Sequence, residues 1–232
     1  MAEGETVGIA MNVRHAIIAL LLGAVALISG CQTQPAEQST ANSLEKGYPV
    51  DFPKLTCARY GKPNGAAAKL TASRVTPGAP AYIEFRQRFS PAIPSGHLFV
   101  VFGRLDASGK PATRQYIGLY PKGGLVGLYG GAIVEMDAVL EPSSVDCGLG
   151  ANAAYRVSLT EGQYQTLLRK VSATLAHPPK WRMFGFNCNN FAASMGSVAG
   201  LREPANRNLP SFAYIYAFID ANGDGRKGKA PS

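Results

Sequence analysis

Apolar and polar residues alternate along Ala81-Tyr82-Ile83-Glu84-Phe85-Arg86, the two-residue period of a strand. Pro91, Pro94, Ser95 and Gly96 then read as a turn. His97-Leu98-Phe99-Val100-Val101-Phe102 follows as an unbroken apolar run rich in β-branched and aromatic residues, as expected of a buried strand. After the turn residues Asp106-Ala107-Ser108-Gly109, the stretch Arg114-Gln115-Tyr116-Ile117-Gly118-Leu119-Tyr120 predicts the partner strand of an antiparallel hairpin. The glycine-rich stretch from Gly123 to Gly131 lacks the Lys and Ser or Thr of a phosphate loop and the spacing of a dinucleotide fingerprint. It reads as a turn leading to a short strand, Ala132-Ile133-Val134-Glu135-Met136. Glu135 and Asp137 fall on one face of that strand, as a solvated pair. Tyr155 to Leu159 predicts one more strand.

The period then changes. Thr160 with Gln163 forms a capping box, and Tyr164, Leu167, Leu168, Val171 and Leu175 recur at helical spacing, which predicts a helix from Thr160 to Ala176. His177-Pro178-Pro179 stops it, and Trp181 to Phe186 reads as a strand. Asn187 suits an N-cap, after which Cys188, Phe191, Ala192, Met195 and Ala199 share one helical face until Gly200. Pro210 opens a last helix over Phe212 to Ile219. Together these elements imply an α+β fold, a small antiparallel sheet packed against helices.

The N-terminus belongs to no core. Met11-Asn12-Val13-Arg14-His15 and the apolar run Ala16 to Ile28 read as a signal peptide, too short for a comfortable membrane span. It ends in Ile28-Ser29-Gly30-Cys31, which resembles a bacterial lipobox. Residues 1–30 are therefore expected to be removed and Cys31 to be lipidated. Glu3 and Glu5 suit such a leader poorly, so Met11 is the expected start of translation. Residues 31–47, from Cys31 and Gln32 to Gly47, carry no periodicity and predict a flexible tether. One domain is expected over 48–219, with a disordered basic tail over 220–232. Asp220-Ala221-Asn222-Gly223-Asp224-Gly225 imitates the start of a calcium loop, but the closing glutamate is missing, and no metal site or cofactor is expected.

Net charge is +8, and the leader holds Glu3, Glu5 and Arg14, so the remainder carries about +9. On an exported, lipid-anchored chain this suggests attraction to anionic wall polymer or lipid head groups. The basic residues are scattered rather than interleaved with aromatics, and nucleic acid is not an expected partner. Of four cysteines, Cys31 is assigned to the lipid and Cys188 to a reactive setting. That leaves Cys57 and Cys147 as a disulfide in an oxidising envelope, with a Cys147 to Cys188 bond as the alternative.

The chemistry centres on Asn187-Cys188-Asn189-Asn190-Phe191. A thiol in the first turn of a helix feels the partial positive charge of unpaired N–H groups, which favours thiolate, the attacking form. Of three histidines, His15 leaves with the leader and His177 sits in a proline-flanked loop, so His97 is the one on a fixed scaffold. Gly96-His97 with Phe102-Gly103, followed by the Asn-Cys-x-x-Phe block at 187–191, resembles the circularly permuted papain-like families. These include permuted relatives of NlpC-type wall peptidases and lecithin:retinol acyltransferase-like proteins. The resemblance spans about Tyr82 to Ile219. It implies a permuted papain-like fold, with Cys188 as nucleophile, His97 as general base and acid, and the Cys188 backbone N–H as an oxyanion donor. It also implies a polar third residue on the strand beside the histidine. Gln115 matches by type, and Tyr116 is the alternative if the hairpin register differs by one. The acyltransferase-like branch would place a second histidine there, which this chain lacks.

The expected protein is thus a monomeric cysteine peptidase or amidase, anchored by lipid and facing the periplasm, acting on peptidoglycan stem peptides or other peptides. Gln32 after Cys31, rather than Asp, resembles an outer-membrane sorting signal. Two alternatives are a lipid or thioester acyl hydrolase on the same residues, and a non-catalytic envelope lipoprotein whose Cys188 is inert.

Overall fold

The computed structural model describes residues 52–90 and 93–223. The expected leader, Cys31, the tether and the tail beyond Gly223 lie outside those residues. The fold is α+β. In chain order its elements are β1 (Ala72–Arg74), β2 (Ala81–Ser90), β3 (Ile93–Arg104), β4 (Gln115–Ile117), β5 (Tyr120–Pro121) and α1 (Gly124–Gly130). There follow β6 (Ala138–Val139), α2 (Ser144–Gly148), β7 (Ala153–Leu159), α3 (Glu161–Ala176), α4 (Cys188–Gly196) and α5 (Ser211–Ala221).

The main sheet runs β1-β7-β2-β3-β4. It is mixed rather than purely antiparallel, because β1 lies parallel to β7 while the other pairs are antiparallel. The backbone of the sheet is the long β2–β3 hairpin, paired from Ala81↔Arg104 to Ser90↔Ile93. Residues 94–96, expected in a turn, extend β3 instead. Gly96 takes a φ of +78°, open to glycine at little cost, and the register shifts between Arg88 and Ser90 as at a bulge. That kink sits one residue before His97.

Alternation along the strands fills both faces. Ile83, Phe85, Leu98, Val100, Phe102, Tyr155 and Val157 point to the side covered by α3, α4 and α5. There Phe218 of α5 meets Phe85 edge-on at 4.9 Å between centroids. Helix α3 begins as its pattern requires, with Thr160 and Gln163 exchanging capping hydrogen bonds and Tyr164, Leu167, Leu168 and Val171 buried.

The opposite face holds Tyr82, Phe99, Val101 and Tyr116 around a Cys57–Cys147 disulfide with a Cα separation of 5.5 Å. The same face buries charge. Glu84, fully buried, accepts from Arg86 Nε and Arg156 Nε, both at 2.5 Å. An arrangement with the ions paired on both carboxylate oxygens avoids the large penalty of an isolated buried charge.

Three further expectations fail here. The stretch 124–130 is helical rather than a turn, and glycine is the reason it fits. A Cβ on Gly131 would lie 2.1 Å from the Trp181 ring, and one on Gly127 would lie 2.0 Å from the Lys122 carbonyl oxygen. Glycines expected to punctuate the chain instead admit close packing. Residues 132–136 and 181–186 are not strands; they share a single bridge between Met136 and Trp181, and Phe184, Gly185 and Phe186 remain exposed. Among the described residues, no helix is long and apolar enough to cross a membrane.

Candidate active site

Cys188 is the first residue of α4. The Asn187 side chain accepts from Asn189 N–H at 2.9 Å, and Asn190 Oδ1 accepts from Asn187 N–H at 3.2 Å, so the cap is closed reciprocally. Asn187 Nδ2 also donates to the Met183 carbonyl at 3.0 Å, tying the cap to the preceding loop. At this position, in the first turn, the Cys188 N–H has no intrahelical acceptor. Cys188 is free of any cystine and half-buried as a residue. Ser211 Oγ, from the first residue of α5, lies 3.6 Å from Sγ and donates to Asn189 Oδ1 at 2.8 Å. Asn189 Nδ2 in turn donates to the Leu209 carbonyl at 2.9 Å, so the amide cannot swing away.

Burial pushes the Cys188 thiol above its ordinary value. The backbone N–H of Leu98, the Ser211 hydroxyl and the N–H groups of Cys188 and Asn189 oppose that rise without reversing it. Helix-start polarity is thus outweighed by desolvation, and the thiol rests protonated, contrary to the thiolate expected from its place in the helix.

His97 stands on β3 opposite Arg88 and points to the face of Phe99 and Val101. Strand β4 pairs with Val100 to Phe102 only, which leaves the β3 edge at His97 and Leu98 clear of it. Helix α4 approaches that edge from the helical side, and the N–H of Leu98 aims at the sulfur. The imidazole is 4% exposed. Tyr120 covers it at 4.2 Å between ring centroids, and Phe99 stacks from the side at 5.9 Å. Its Nε2 is buried without a hydrogen-bond partner. Burial lowers the His97 pKa to about 4; Asp146 pulls it up and Arg88 pushes it down, and neither offsets the loss of solvent.

Asp146 is the hub of the charged groups behind the imidazole. Fully buried, it accepts from Arg88 Nε at 2.6 Å through Oδ1. Its Oδ2 accepts from Ser143 N–H at 2.7 Å, Ser143 Oγ at 2.6 Å and the Tyr120 hydroxyl. Burial raises its carboxyl, but His97, Arg88 and the hydroxyls of Ser143 and Tyr120 outweigh it and leave the group below its ordinary value.

His97 and Cys188 both line one cavity of about 410 Å³, together with Ser211 and Asn189. Its remaining walls are largely apolar, including Leu119, Leu128, Trp181 and Met183. A second cavity of about 490 Å³ lies against the other side of α4, lined by Asn190, Ser194, Glu203 and Arg207, and touches neither His97 nor Cys188.

Gln115 is not beside the histidine. The β3–β4 register sets it opposite Phe102, five residues from His97 and about 17 Å along the strand. By alternation it also shares the face of Phe102 rather than that of His97. Tyr116, opposite Val101, is on the correct face but about 13 Å away, and its hydroxyl donates to the Asn64 carbonyl at 2.9 Å. The expectation failed because β4 is only three residues long and pairs far up the hairpin. Tyr120, Asp146, Asn189 and Ser211 went unrecognised in the sequence. One legible signal was present: Ser143-Ser144-Val145-Asp146 has capping-box spacing, and the box is formed.

Cys57 and Cys147 are bonded to each other, which leaves Cys188 outside any cystine among the described residues. Among those residues no three His, Cys, Asp or Glu side chains are grouped to hold a metal. No family model, no curated protein and no solved structure matches this chain.

Proposed function

We propose that the protein is a cysteine hydrolase in which Cys188 attacks an acyl carbonyl and His97 carries the proton. The observation that supports it is the shared cavity: a free thiol at the head of α4 and a fixed imidazole both open onto one space that could admit a substrate. Geometry of this kind, rather than fold, is the warrant. Both groups rest neutral, so the proton leaves sulfur for the imidazole as the S–C bond forms. The developing oxyanion meets the N–H of Cys188. The imidazolium then protonates the leaving amine, giving a thioester, and water hydrolyses the thioester by the reverse proton path.

As a substrate we propose peptide amides, peptidoglycan stem peptides among them. This rests on the reading of residues 1–31 as a leader and lipidated Cys31, which would hold the domain at the outer membrane facing the periplasm. The permuted papain-like fold belongs to the same proposal. The apolar lining by Leu119, Leu128, Trp181 and Met183 favours a second reading, an acyl ester or thioester whose hydrocarbon occupies those walls.

Purified protein and Cys188→Ala should be incubated with muropeptides and, separately, with phospholipid vesicles and an acyl thioester. Release of new amino groups by the native protein alone supports the amide reading, and release of fatty acid selects the second. A native thiol that iodoacetamide alkylates at the same rate with and without His97 would refute both.

A further inference from the structure

We infer that Tyr120 is the positioning residue for His97, its ring fixing the plane of the imidazole and its hydroxyl anchored on buried Asp146. This assignment rests on the reading of Cys188 and His97 as the acting pair. It fills the role for which the sequence pointed to Gln115.

A histidine that shuttles protons needs its ring held in one orientation, ordinarily by an acceptor on the nitrogen away from the nucleophile. Asp146 is the acid whose charge acts on His97, but no hydrogen bond among the described residues joins the two. Oδ2 of Asp146 is taken up by Ser143 N–H, Ser143 Oγ and the Tyr120 hydroxyl, and its Oδ1 accepts from Arg88 Nε. It therefore acts on the imidazole through Tyr120 and through its charge rather than by a direct bond. The 4.2 Å ring separation is at the close limit for aromatic pairs, so the tyrosine leaves little freedom for rotation.

Local sequence is built for this contact. Gly118 lets the Tyr120 ring fold back over the link between β4 and β5, where a Cβ would lie 2.8 Å from ring carbon Cε2 and 2.8 Å from the hydroxyl oxygen. The anchor is itself tied down, because Cys147, the residue after Asp146, is bonded to Cys57. The charged and titratable groups around the imidazole are thus Arg88 from β2, Tyr120 from β5, Asp146 from α2 and Cys188 from α4.

The test compares wild type, Tyr120→Phe, Asp146→Asn, His97→Ala and Tyr116→Phe. Two readouts are used: the pH profile of Cys188 alkylation by iodoacetamide, and the NMR titration of the His97 ring protons. Tyr120→Phe keeps the ring and loses the anchor, so the alkylation rate at pH 7 should fall about tenfold toward that of His97→Ala. As water reaches the loosened ring, the His97 midpoint should rise. Asp146→Asn should slow alkylation similarly but lower the midpoint, because an attractive charge is removed while Arg88 stays. Tyr116→Phe, which loses an equivalent hydroxyl bond remote from the site, should match wild type in both. Should His97→Ala slow alkylation while Tyr120→Phe and Asp146→Asn leave rate and midpoint at wild-type values, the positioning assignment is wrong and the Cys188–His97 pair stands. No effect of His97→Ala overturns pair and assignment together.

Discussion

Acid should destabilise this protein well above the range in which its carboxylates titrate, and His97 sets the size of the effect. In the folded chain its pKa is lowered from 6.5 to about 4 by burial. As pH falls below 6.5 the unfolded chain takes up a proton that the folded chain refuses. The unfolded state then binds more protons, so stability drops with falling pH. The contribution is fully present above pH 6.5 and is lost as pH passes down through about 4. The whole shift corresponds to ~3 kcal/mol, of which ~2 kcal/mol should disappear between pH 7.5 and pH 5. Asp146 does not confuse this window: its pKa is lowered from 3.8, so its contribution is retained above that value and lost only below it. The assay is urea unfolding at half-unit steps from pH 7.5 to pH 5, for wild type and His97→Gln. The variant removes the titration, so its curve should be flatter by ~2 kcal/mol whatever its absolute stability. Parallel curves would refute a buried neutral imidazole. A wild type that gains stability on acidification through pH 6 would indicate an imidazolium paired with thiolate at rest, and would overturn the neutral-pair mechanism.

Three more outcomes are expected from the packing. Replacing Cys57 and Cys147 by alanine opens a crosslink spanning 90 residues and should cost ~4–5 kcal/mol in urea unfolding, with Cys188 still alkylated once the protein is folded. Glu84→Ala leaves buried Arg86 without its carboxylate and should destabilise by ~3–5 kcal/mol in urea unfolding, whereas Lys180→Ala, which breaks an exposed pair with Asp137, should leave the unfolding curve essentially unchanged. Gly131→Ala forces a methyl into the Trp181 ring and should lower the thermal midpoint and change the Trp181 fluorescence, since this is the one tryptophan of the chain.

Local chemistry was legible from the residues alone. Thr160 with Gln163 marked the head of α3, and Asn187 with Gly200 bracketed the α4 segment, because caps and left-handed stops are properties of a few adjacent residues. Alternation and apolar runs likewise announced β2 and β3, and with them the α+β class. Non-local partners were not legible. Glycines 124–131 read as breakers until Trp181, some fifty positions later, supplied the surface that makes their missing side chains useful. The companion of His97 was sought on the next strand because hairpins pair neighbours, yet register is decided by where a whole strand buries its apolar face. With β4 anchored at Val100 to Phe102, the space beside His97 passed to Tyr120 and to the disulfide-tied Asp146, residues whose role no periodicity could reveal. The ionisation of the pair was decided at the same level. Sequence placed sulfur at a helix head, which favours the anion, but the surrounding walls remove water from thiol and imidazole alike, and desolvation is the larger force.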